Sequence, residues 1–422
     1  MSGQVLVAAI VFVGAYALIA TERLHKTVAA LAGGVLMVVL GVISQEEAFA
    51  AIDFNVIFLL VGMMVIANVM RRTGVFQWVA IRAVRLARGD PWRILVVLCS
   101  ITAVASAFLD NVTTVVLIGP ITLFIASALG VSPVPYLVGE ILASNIGGTA
   151  TLVGDPPNIL IGSAAHIDFA TFLVNLGPLA VIVFGAFLLL SRILFGAALS
   201  QGHDATAVID LDESAVISDP RRMRISVLVM AGTVAGFLVA GPLGLEPATV
   251  ALAGAAALFV LTGHDPADIL PEVEWSTLLF FVGLFMLVEG VIHVGLIDQL
   301  AAGLFDLAGG DLTVTSLALL WVSGVASGII DNIPYTATVI PIVRDLGVRG
   351  MDTEPLWWSL ALGASLGGNA TVIGASANVV IASLADRAGY PITFGAFLRY
   401  GVVVTLVSLL IATAYVWLRY LA

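Results

Sequence analysis

The sequence predicts an all-α polytopic membrane protein of two inverted five-span repeats, with about ten spans and two re-entrant hairpins. Each repeat is expected to contain one re-entrant helical hairpin and one broken transmembrane helix. Three observations predict this fold: the chain is strongly apolar, its second half repeats its first at a constant offset, and arginines are distributed unequally between equivalent segments.

The composition indicates a membrane protein. Of the 422 residues, 60% are hydrophobic and only 11% are charged, whereas soluble domains carry about 25% charged residues. Apolar runs such as 5–20, 28–43 and 56–70 approach the roughly 20 residues that cross a bilayer core. No basic residue precedes the run 5–20, so we expect a mature span there and not a signal peptide. The expected location is the inner cell membrane, as a multi-pass protein.

The second half of the chain repeats the first. The segment VASAFLDN, 104–111, returns as VASGIIDN, 325–332. The segment GGTATLVGDPPN, 147–158, returns as GGNATVIGASAN, 367–378, after a slip of a single position. An offset that stays constant over most of each half indicates an internal duplication. The predicted parts are a first inverted repeat at 1–200, a cytoplasmic linker at 201–224 and a second inverted repeat at 225–422.

The charges predict that the second repeat is upside down relative to the first. Each half has five expected crossings, and an odd number inverts the half that follows. The stretch 71–93 after the third span of half one holds six arginines, whereas the partner stretch 293–311 holds none. Because positively charged segments stay in the cytoplasm, these equivalent stretches are expected on opposite sides. Both termini then fall on the external side.

A long apolar segment in each half predicts a hairpin. Residues 95–129 are too many for one span, and their most polar point is LDNVTT at 109–114. Two arms of about 16 residues rise about 24 Å at 1.5 Å per residue, which is less than the thickness of the hydrocarbon core. The repeat predicts a second hairpin with its tip at 331–336. Two complete spans joined by a tight turn would give the same parity, so this alternative stays open.

Asp110 and Asp331 occupy matched positions at the two hairpin tips. A carboxylate at the bilayer centre costs at least about 2.5 kcal/mol, so a matched pair indicates a function. Aspartate is also a good helix N-cap, and we expect both residues to cap the second arm of their hairpin. The predicted proton- or ion-coupling residues are Asp110, Asp331 and, as a third candidate, Asp155.

Each half also contains a broken span. In half one, Gly147-Gly148 and Pro156-Pro157 bracket the break, and Asp155 precedes the restarted helix. Non-helical backbone at membrane depth is tolerated where it lines a cavity or is buried in protein. Two tips and two breaks are therefore expected to converge on one substrate site. Its predicted wall is Asn111, Thr113, Thr114, Asn145, Gly148, Thr149, Thr151 and Asn158 from half one, with Asn332, Thr336, Asn369, Thr371, Ser376 and Asn378 from half two.

These motifs carry a resemblance to a known family. FLDNVTT, GGTATLVGDPPN, IIDNIPYTAT and GGNATVIGASAN resemble signatures of the arsenite permease, NhaD antiporter and melanocyte P-protein branch of the ion transporter superfamily. The resemblance covers nearly the whole chain, and the motif style is closest to P-protein-like members. It implies a scaffold domain, a mobile transport domain, elevator-like alternating access and a homodimer.

The function hypothesis is a secondary transporter that exports arsenite or antimonite by using proton influx. Arsenous acid is mostly neutral at neutral pH and presents hydroxyl groups, which suits a wall of Asn, Thr, Ser and backbone groups. Capture by thiolates is not available, because Cys99 is the sole cysteine. The expected partners are therefore a small inorganic substrate, protons or sodium, and the lipid bilayer. No cofactor, metal site or nucleic acid is predicted.

Several alternatives stay open. A sodium/proton antiporter or an anion transporter would use the same fold, although the predicted site contains no buried Lys or Arg to neutralise a dicarboxylate. A passive channel also remains. An intramembrane aspartyl protease fits poorly, because Leu152 stands where the Gly-x-Gly-Asp pattern needs glycine. We therefore predict no enzyme. The chain has no Walker motif, so any use of ATP would need a separate soluble ATPase subunit.

Overall fold

The structure, a computed structural model, describes residues 3–21, 23–199 and 216–422. These residues form helices, short helical turns and connecting loops, with no strand among them. By length and composition, nine of the described helices can cross a membrane, and three of these, Pro91–Phe108, Asn111–Leu129 and Leu312–Ile329, are arms of the predicted hairpins. The number is ten if the bent pair Pro247–Thr262 and Pro266–Glu272 counts as one span. The predicted all-α polytopic fold is confirmed.

The first half begins with two apolar helices and a short connecting helix. A third apolar span and an amphipathic helix follow, and then the hairpin, the broken span and a long final helix. The helices are α1 (Gly3–Ala20), α2 (Lys26–Val39), α3 (Gln45–Ala50), α4 (Phe54–Arg72), α5 (Val75–Leu86), α6 (Pro91–Phe108), α7 (Asn111–Leu129), α8 (Val134–Gly148), α9 (Pro156–Ala165) and α10 (Phe169–Leu199). Helix starts follow local chemistry: Asp90 caps α6 ahead of Pro91, and Ser44 forms a capping box with Glu47 on α3.

The second half repeats this order. Its helices are α11 (Pro220–Ala240), α12 (Pro247–Thr262), α13 (Pro266–Ile269), α14 (Trp275–His293), α15 (Leu296–Leu307), α16 (Leu312–Ile329), α17 (Asn332–Val348), α18 (Glu354–Gly367), α19 (Ser376–Arg387) and α20 (Phe394–Val416). The starts of α14, α15, α16 and α17 follow those of α4, α5, α6 and α7 at one constant offset, as the sequence repeat predicts. The start of α19 follows that of α9 at an offset shorter by a single position. Most of the predicted linker, 201–215, lies outside the described residues, and α11 begins at Pro220.

The helices pack in two groups, and in each group the halves exchange partners. In the scaffold group, α2 packs against α14 and the equivalent α12 packs against α4, with α1 and α11 alongside. In the hairpin group, formed by α6–α10 and α16–α20, α7 packs against α19 and the equivalent α17 packs against α9. Such reciprocal pairing is what a pseudo-twofold axis between two repeats produces.

Glycines allow the closest helix contacts in the scaffold group. A Cβ atom on Gly34 would lie 2.8 Å from the carbonyl oxygen of Gly283, where α2 crosses α14. A Cβ atom on Gly62 would lie 2.7 Å from the carbonyl carbon of Ala251, where α4 crosses α12. Small residues let membrane helices approach closely enough for backbone contact. The scaffold group is therefore a tightly packed frame.

Gly147 and its repeat mate Gly367 seat the broken spans against the first hairpin arms. A Cβ atom on Gly147 would lie 2.1 Å from the carbonyl oxygen of Ala103, and one on Gly367 would lie 2.4 Å from that of Gly324. We expect Gly147→Ala to lower the melting temperature of the purified protein in detergent. The backbone must shift to admit the methyl group, and overpacking costs about 1–3 kcal/mol.

Gly185→Ala is the matched control for this substitution. Gly185 lies within α10, and a methyl group added there would meet no other group within 4 Å. Alanine should therefore keep or raise the melting temperature through its higher helix propensity. Equal melting temperatures for Gly147→Ala and Gly185→Ala would contradict the packing described.

The basic residues mark one end of the bundle. Arg71 and Arg72 pair with Glu272 at 2.7 and 2.6 Å. Near the start of α11, the hydrogen bond from the backbone N–H of Arg222 holds the pKa of the Asp219 carboxyl below its ordinary value. Of the 17 basic residues in the sequence, the three that belong to segments at the opposite end are Arg344, Arg349 and Arg419. By the positive-inside rule we expect the arginine-rich end to face the cytoplasm, and we call it the cytoplasmic end.

Candidate functional site

Each hairpin turns at an aspartate that caps its second arm. Asp110 accepts a hydrogen bond from the backbone N–H of Thr113 at 2.9 Å. Asp331 accepts one from the backbone N–H of Ile333 at 3.0 Å. The first arms end because Leu109 and Ile330 take extended conformations. The predicted capping by both aspartates is confirmed.

The breaks lie at the same depth as the hairpin tips. In half one α8 ends at Gly148 and α9 restarts at Pro156, so the break separates helical pieces of 15 and 10 residues. The Thr151 hydroxyl within this break donates to the carbonyl of Ala107, next to the hairpin tip. In half two the Thr371 hydroxyl donates to the carbonyl of Gly328 at 2.7 Å. Both tips are therefore tied to the middle of a broken span, inside the bundle, where non-helical backbone is shielded from lipid.

Asp155 lies where the two hairpin tips meet. It is fully buried, and the Asn111 amide donates to its Oδ1 at 3.1 Å. The Asn332 amide, from the other hairpin, lies 3.3 Å from Oδ2. The repeat mate of Asp155 is Ala375, so one central carboxyl group serves both halves.

Asn158 and its repeat mate Asn378 hold the two breaks in shape. The Asn158 amide donates to the carbonyls of Gly148 and Thr151 at 3.1 and 2.9 Å. The Asn378 amide donates to the equivalent carbonyls of Gly368 and Thr371, both at 2.8 Å. Carbonyls freed by a helix break need such donors, because no water satisfies them in a buried position.

Asn145 joins the two halves. Its amide nitrogen donates to the Oδ1 atoms of Asn369 and Asn378 at 2.9 and 3.0 Å. Its own Oδ1 accepts from the amide of Asn111 at 3.1 Å. The structure therefore brings Asn111, Asn145, Asn332, Asn369 and Asn378 into one buried network around Asp155.

The hydroxyl groups of the predicted wall that donate hydrogen bonds do so to acceptors in their own half of the chain. Thr149 donates to the carbonyl of Asn145, one turn back in its own helix. Thr113 donates to Asp110. The hydroxyls of Thr114 and Thr336 are buried without a hydrogen-bond partner in the described part of the chain. Ser376 lies at the start of α19 and donates to Asp331 at 2.8 Å.

A cleft with three adjoining cavities leads from the cytoplasmic end to both hairpin tips. The cavities have volumes of about 340, 180 and 50 Å³ and share lining residues. We call this space the inner cleft. Its polar lining includes His25, Lys26, Arg71, Asp110, Thr113, Glu272, Glu274, Asp331 and Ser376. Of the predicted wall residues, Thr113 and Ser376 line it, whereas the asparagine network lies behind it.

A cavity of about 400 Å³ at the opposite end occupies the repeat-related position. We call it the outer cleft. Its lining includes Asn55, Ile159, Leu245, Glu246 and Pro247, which are the repeat mates of Ser276, Val379, Leu24, His25 and Lys26 in the inner cleft. Neither Asp110 nor Asp331 belongs to the lining of the outer cleft. The tips therefore face the cytoplasmic end in this conformation.

Lys26 and Glu274 are site residues that sequence reasoning missed. Glu274 lies just before α14 and lines the inner cleft together with Asp110. The Nζ atom of Lys26 lies 2.9 Å from Oδ2 of Asp331 and 2.6 Å from Oγ of Ser376. No buried Lys or Arg was expected in the site, and the start of α2 brings this partly exposed ammonium group to the second hairpin tip. One sequence feature marks Lys26: it is the sole lysine of the chain, and every other basic residue is arginine.

The fold and this site define a class: polytopic membrane transporters built on inverted repeats, in which hairpin tips and broken helices enclose a polar centre. Comparison with known families agrees. Residues 16–363 match the CitMHS family, described as citrate transporter. The chain belongs to this family of membrane transporters.

Individual relatives support the same placement. An uncharacterized transporter of Mycobacterium tuberculosis is 47% identical over 98% of both chains. The P protein of Homo sapiens is 33% identical over 98% of this chain and 59% of its own length, which confirms the branch that the motifs resemble. The solved YdaH transporter of Alcanivorax borkumensis shares the fold, with a TM-score of 0.64 over 98% of both chains at 16% identity.

Proposed function

We propose that the protein is a proton-coupled secondary transporter that exports arsenite or antimonite by elevator-type alternating access. One observation carries the proposal: amides from both hairpin tips bind Asp155 beside a cleft that opens toward one end of the bundle. A site held by two repeat-related hairpins can be presented to either side of the membrane by moving the hairpin group as a unit.

The packing supports such a movement. Few side-chain hydrogen bonds of the described residues join the hairpin group to the scaffold group. Tyr16 donates to the carbonyl of Pro334 at 2.7 Å, Ser163 donates to Asp53 at 2.5 Å, and Lys26 pairs with Asp331. The inner and outer clefts lie at repeat-related positions along the boundary between the groups. Sliding of the hairpin group would close the inner cleft and connect the tips to the outer one.

The charges of the inner cleft support coupling to protons. Four carboxyl groups, of Asp110, Glu272, Glu274 and Asp331, line it against two basic side chains, Lys26 and Arg71. Carboxyl groups held close together repel one another when ionised, so binding a proton or a cation relieves the repulsion. An excess of carboxyl groups suits a protein that takes up protons during its cycle, and it disfavours a multiply charged anion.

The same lining supports a neutral substrate with hydroxyl groups. Thr113 and Ser376 present hydroxyls to the cleft, and the asparagine network behind them supplies amide donors and acceptors. Cys99 is fully buried in α6, so oxygen and nitrogen ligands and not a thiolate would bind the solute. Arsenous acid and its antimony analogue match this chemistry.

A small carboxylate is the second candidate substrate, and Lys26 is the observation that favours it. The ammonium group next to the Ser376 hydroxyl forms a pair of donors that a carboxylate can bind. The description of the family as citrate transporter agrees with this candidate. Its binding would have to displace Asp331 from Lys26, because one ammonium serves both groups.

Uptake into everted membrane vesicles distinguishes these functions. Arsenite, sodium, chloride and citrate are tested side by side under an imposed proton gradient, in the wild type and in Asp110→Asn. We expect arsenite to accumulate in the wild type and to fail to accumulate in the variant. Movement of citrate or sodium without arsenite would overturn the substrate assignment.

A further inference from the structure

We propose that Lys26 is the coupling residue of this transporter: its ammonium group replaces a proton as the counter-charge of Asp331 when the site faces the cytoplasm. The inference rests on the proposed function, because it assumes that the protein moves protons. It adds a residue and a step that the symmetric pair of aspartates does not supply.

The contacts of Lys26 form a built site. Besides Asp331 at 2.9 Å and Ser376 at 2.6 Å, its Nζ atom lies 5.1 Å from the centre of the Phe280 ring. Ser376 in turn donates to the same Oδ2 atom of Asp331 at 2.8 Å. The side chains of Lys26 and Asp331 are 28% and 13% exposed, so water screens this ion pair only partly.

The ion pair crosses the boundary between the two helix groups. Lys26 begins α2 of the scaffold group, whereas Asp331 and Ser376 belong to the hairpin group. Movement of the hairpin group therefore separates the ammonium from the carboxylate. An unpaired carboxylate within the membrane is strongly unfavourable, so Asp331 needs another partner whenever it lies away from Lys26. On the outward step the hydroxyl groups of the bound substrate donate to the carboxylate, and on the return step a proton from outside binds it, so substrate leaves the cell as a proton enters.

The two repeats differ here, because only Asp331 has an ammonium partner. The repeat mate of Lys26 is Pro247 and that of Ser376 is Pro156, so Asp110 has no equivalent ammonium partner at the outer end. When the tips face outward, Asp331 lies away from Lys26 and binds a proton from outside. When they face inward, that proton leaves the Asp331 carboxyl for cytoplasmic water, and the carboxylate pairs with Lys26, which keeps its own proton throughout.

Lysine suits this exchange better than arginine. An ammonium on a flexible stem is a single-point partner, whereas the planar guanidinium group binds a carboxylate through two parallel hydrogen bonds and releases it less readily. The chain uses arginine at all of its 17 basic positions except one, and its one lysine stands where a partner must be exchanged. We expect Lys26→Arg to hold the inward-facing state more firmly than the wild type does.

Thiol labelling measures the position of the hairpin group without any substrate. In a Cys99→Ala background, one reporter is Val380→Cys in the inner cleft and the other is Ile159→Cys in the outer cleft. An impermeant maleimide is applied from each side of the membrane. With Lys26→Gln, labelling of the inner reporter should fall about fivefold, equivalent to roughly 1 kcal/mol at 1.4 kcal/mol per tenfold change, and labelling of the outer reporter should rise.

The matched control is Arg23→Gln, an exposed basic residue three positions earlier in the same connection, which should leave both labelling rates unchanged. Asp331→Asn should reproduce the effect of Lys26→Gln, and the double variant should show no further effect, because both substitutions remove one interaction. Equal labelling in Lys26→Gln and Arg23→Gln, or additive effects in the double variant, would overturn the inference.

The pH dependence provides a readout that a merely structural role would not change. Acidification should shift wild-type labelling toward the outer reporter, as Lys26→Gln does, and Asp331→Asn should remove this shift. The other titratable groups that face Lys26 or Asp331 are His25 on the same connection as Lys26, Asp110 at the start of α7, Glu274 at the start of α14 and Asp155, which binds the amide of Asn332 next to Asp331. A shift that persists in Asp331→Asn assigns the titration to one of these groups and overturns the inference. If the labelling behaves as expected but arsenite does not move, the proposed substrate fails and the role of Lys26 stands.

Discussion

Asp155→Ala should abolish transport while leaving a folded protein in the membrane. The substitution gives half one the alanine that half two already has at position 375, so the backbone of the break tolerates it. It removes the acceptor shared by the amides of Asn111 and Asn332. A buried donor left without a partner costs about 1–3 kcal/mol. With two such donors, we expect the transport rate to fall about a hundredfold or more, at about 1.4 kcal/mol per tenfold change.

Asp155→Asn separates the hydrogen bonds of Asp155 from its charge. Asparagine keeps one acceptor oxygen for the tip amides, so we expect it to retain more arsenite binding than alanine does and still to fail in proton-driven transport. Asp298→Asn, at an exposed position on α15, is the control for loss of one negative charge. Transport by Asp155→Ala at more than half of the wild-type rate would show that the tips do not depend on this carboxyl group.

Asp110→Asn should uncouple transport from the proton gradient without unfolding the hairpin. Asparagine caps helices about as well as aspartate, so α7 keeps its start, whereas the group that binds a proton is lost. We expect gradient-driven accumulation of arsenite to disappear and its dependence on pH to become flat. Exchange of arsenite across the membrane at equal pH should continue, because exchange needs alternating access but no net proton movement.

Substitutions at two other aspartates test whether the expected loss of coupling is specific to the hairpin tips. Asp90→Asn is the matched control, because Asp90 caps α6 with the same geometry at the exposed end of the hairpin. It should leave transport unchanged. Asp331→Asn should also lose driven accumulation, but it additionally frees Lys26. If Asp110→Asn and Asp331→Asn both transport normally with unchanged pH dependence, the assignment of these residues to coupling is wrong.

The fold was predictable because membrane helices leave few choices for polar residues. The pair Asp110-Asn111 and the segment 147–158 stand out within apolar runs, and their repetition at a constant offset links each to a partner in the other half. Inversion followed from parity and from the six arginines of 71–93. These are properties of sequence order and composition, which folding does not change.

Side-chain roles within the site were less predictable. Asn158 and Asn378 were expected on the substrate wall, and the structure shows their amides bound to backbone carbonyls of their own breaks. A residue type indicates that hydrogen bonds form but not with which group. Which site residues are open to solvent also depends on conformation. The inner cleft lies between the scaffold group and the hairpin group, and the sequence does not specify how these two groups are positioned.

Lys26 is the clearest example of a site residue whose role could not be predicted from the sequence. It lies at the start of an apolar helix, where a basic residue ordinarily marks the membrane boundary. Its partner Asp331 is 305 residues away in the chain, and the contact arises because two repeats pack across each other. The absence of any other lysine was visible in the sequence, but its meaning depends on that contact.

The most direct test of the account measures proton and arsenite movement together in proteoliposomes that contain only this protein. A pH-sensitive dye reports protons while arsenite uptake is followed, with and without a protonophore. The account predicts that a pH gradient drives accumulation of arsenite, that the protonophore collapses it, and that an arsenite gradient alone moves protons. Arsenite accumulation that survives the protonophore, or arsenite and proton fluxes that do not influence each other, would contradict it.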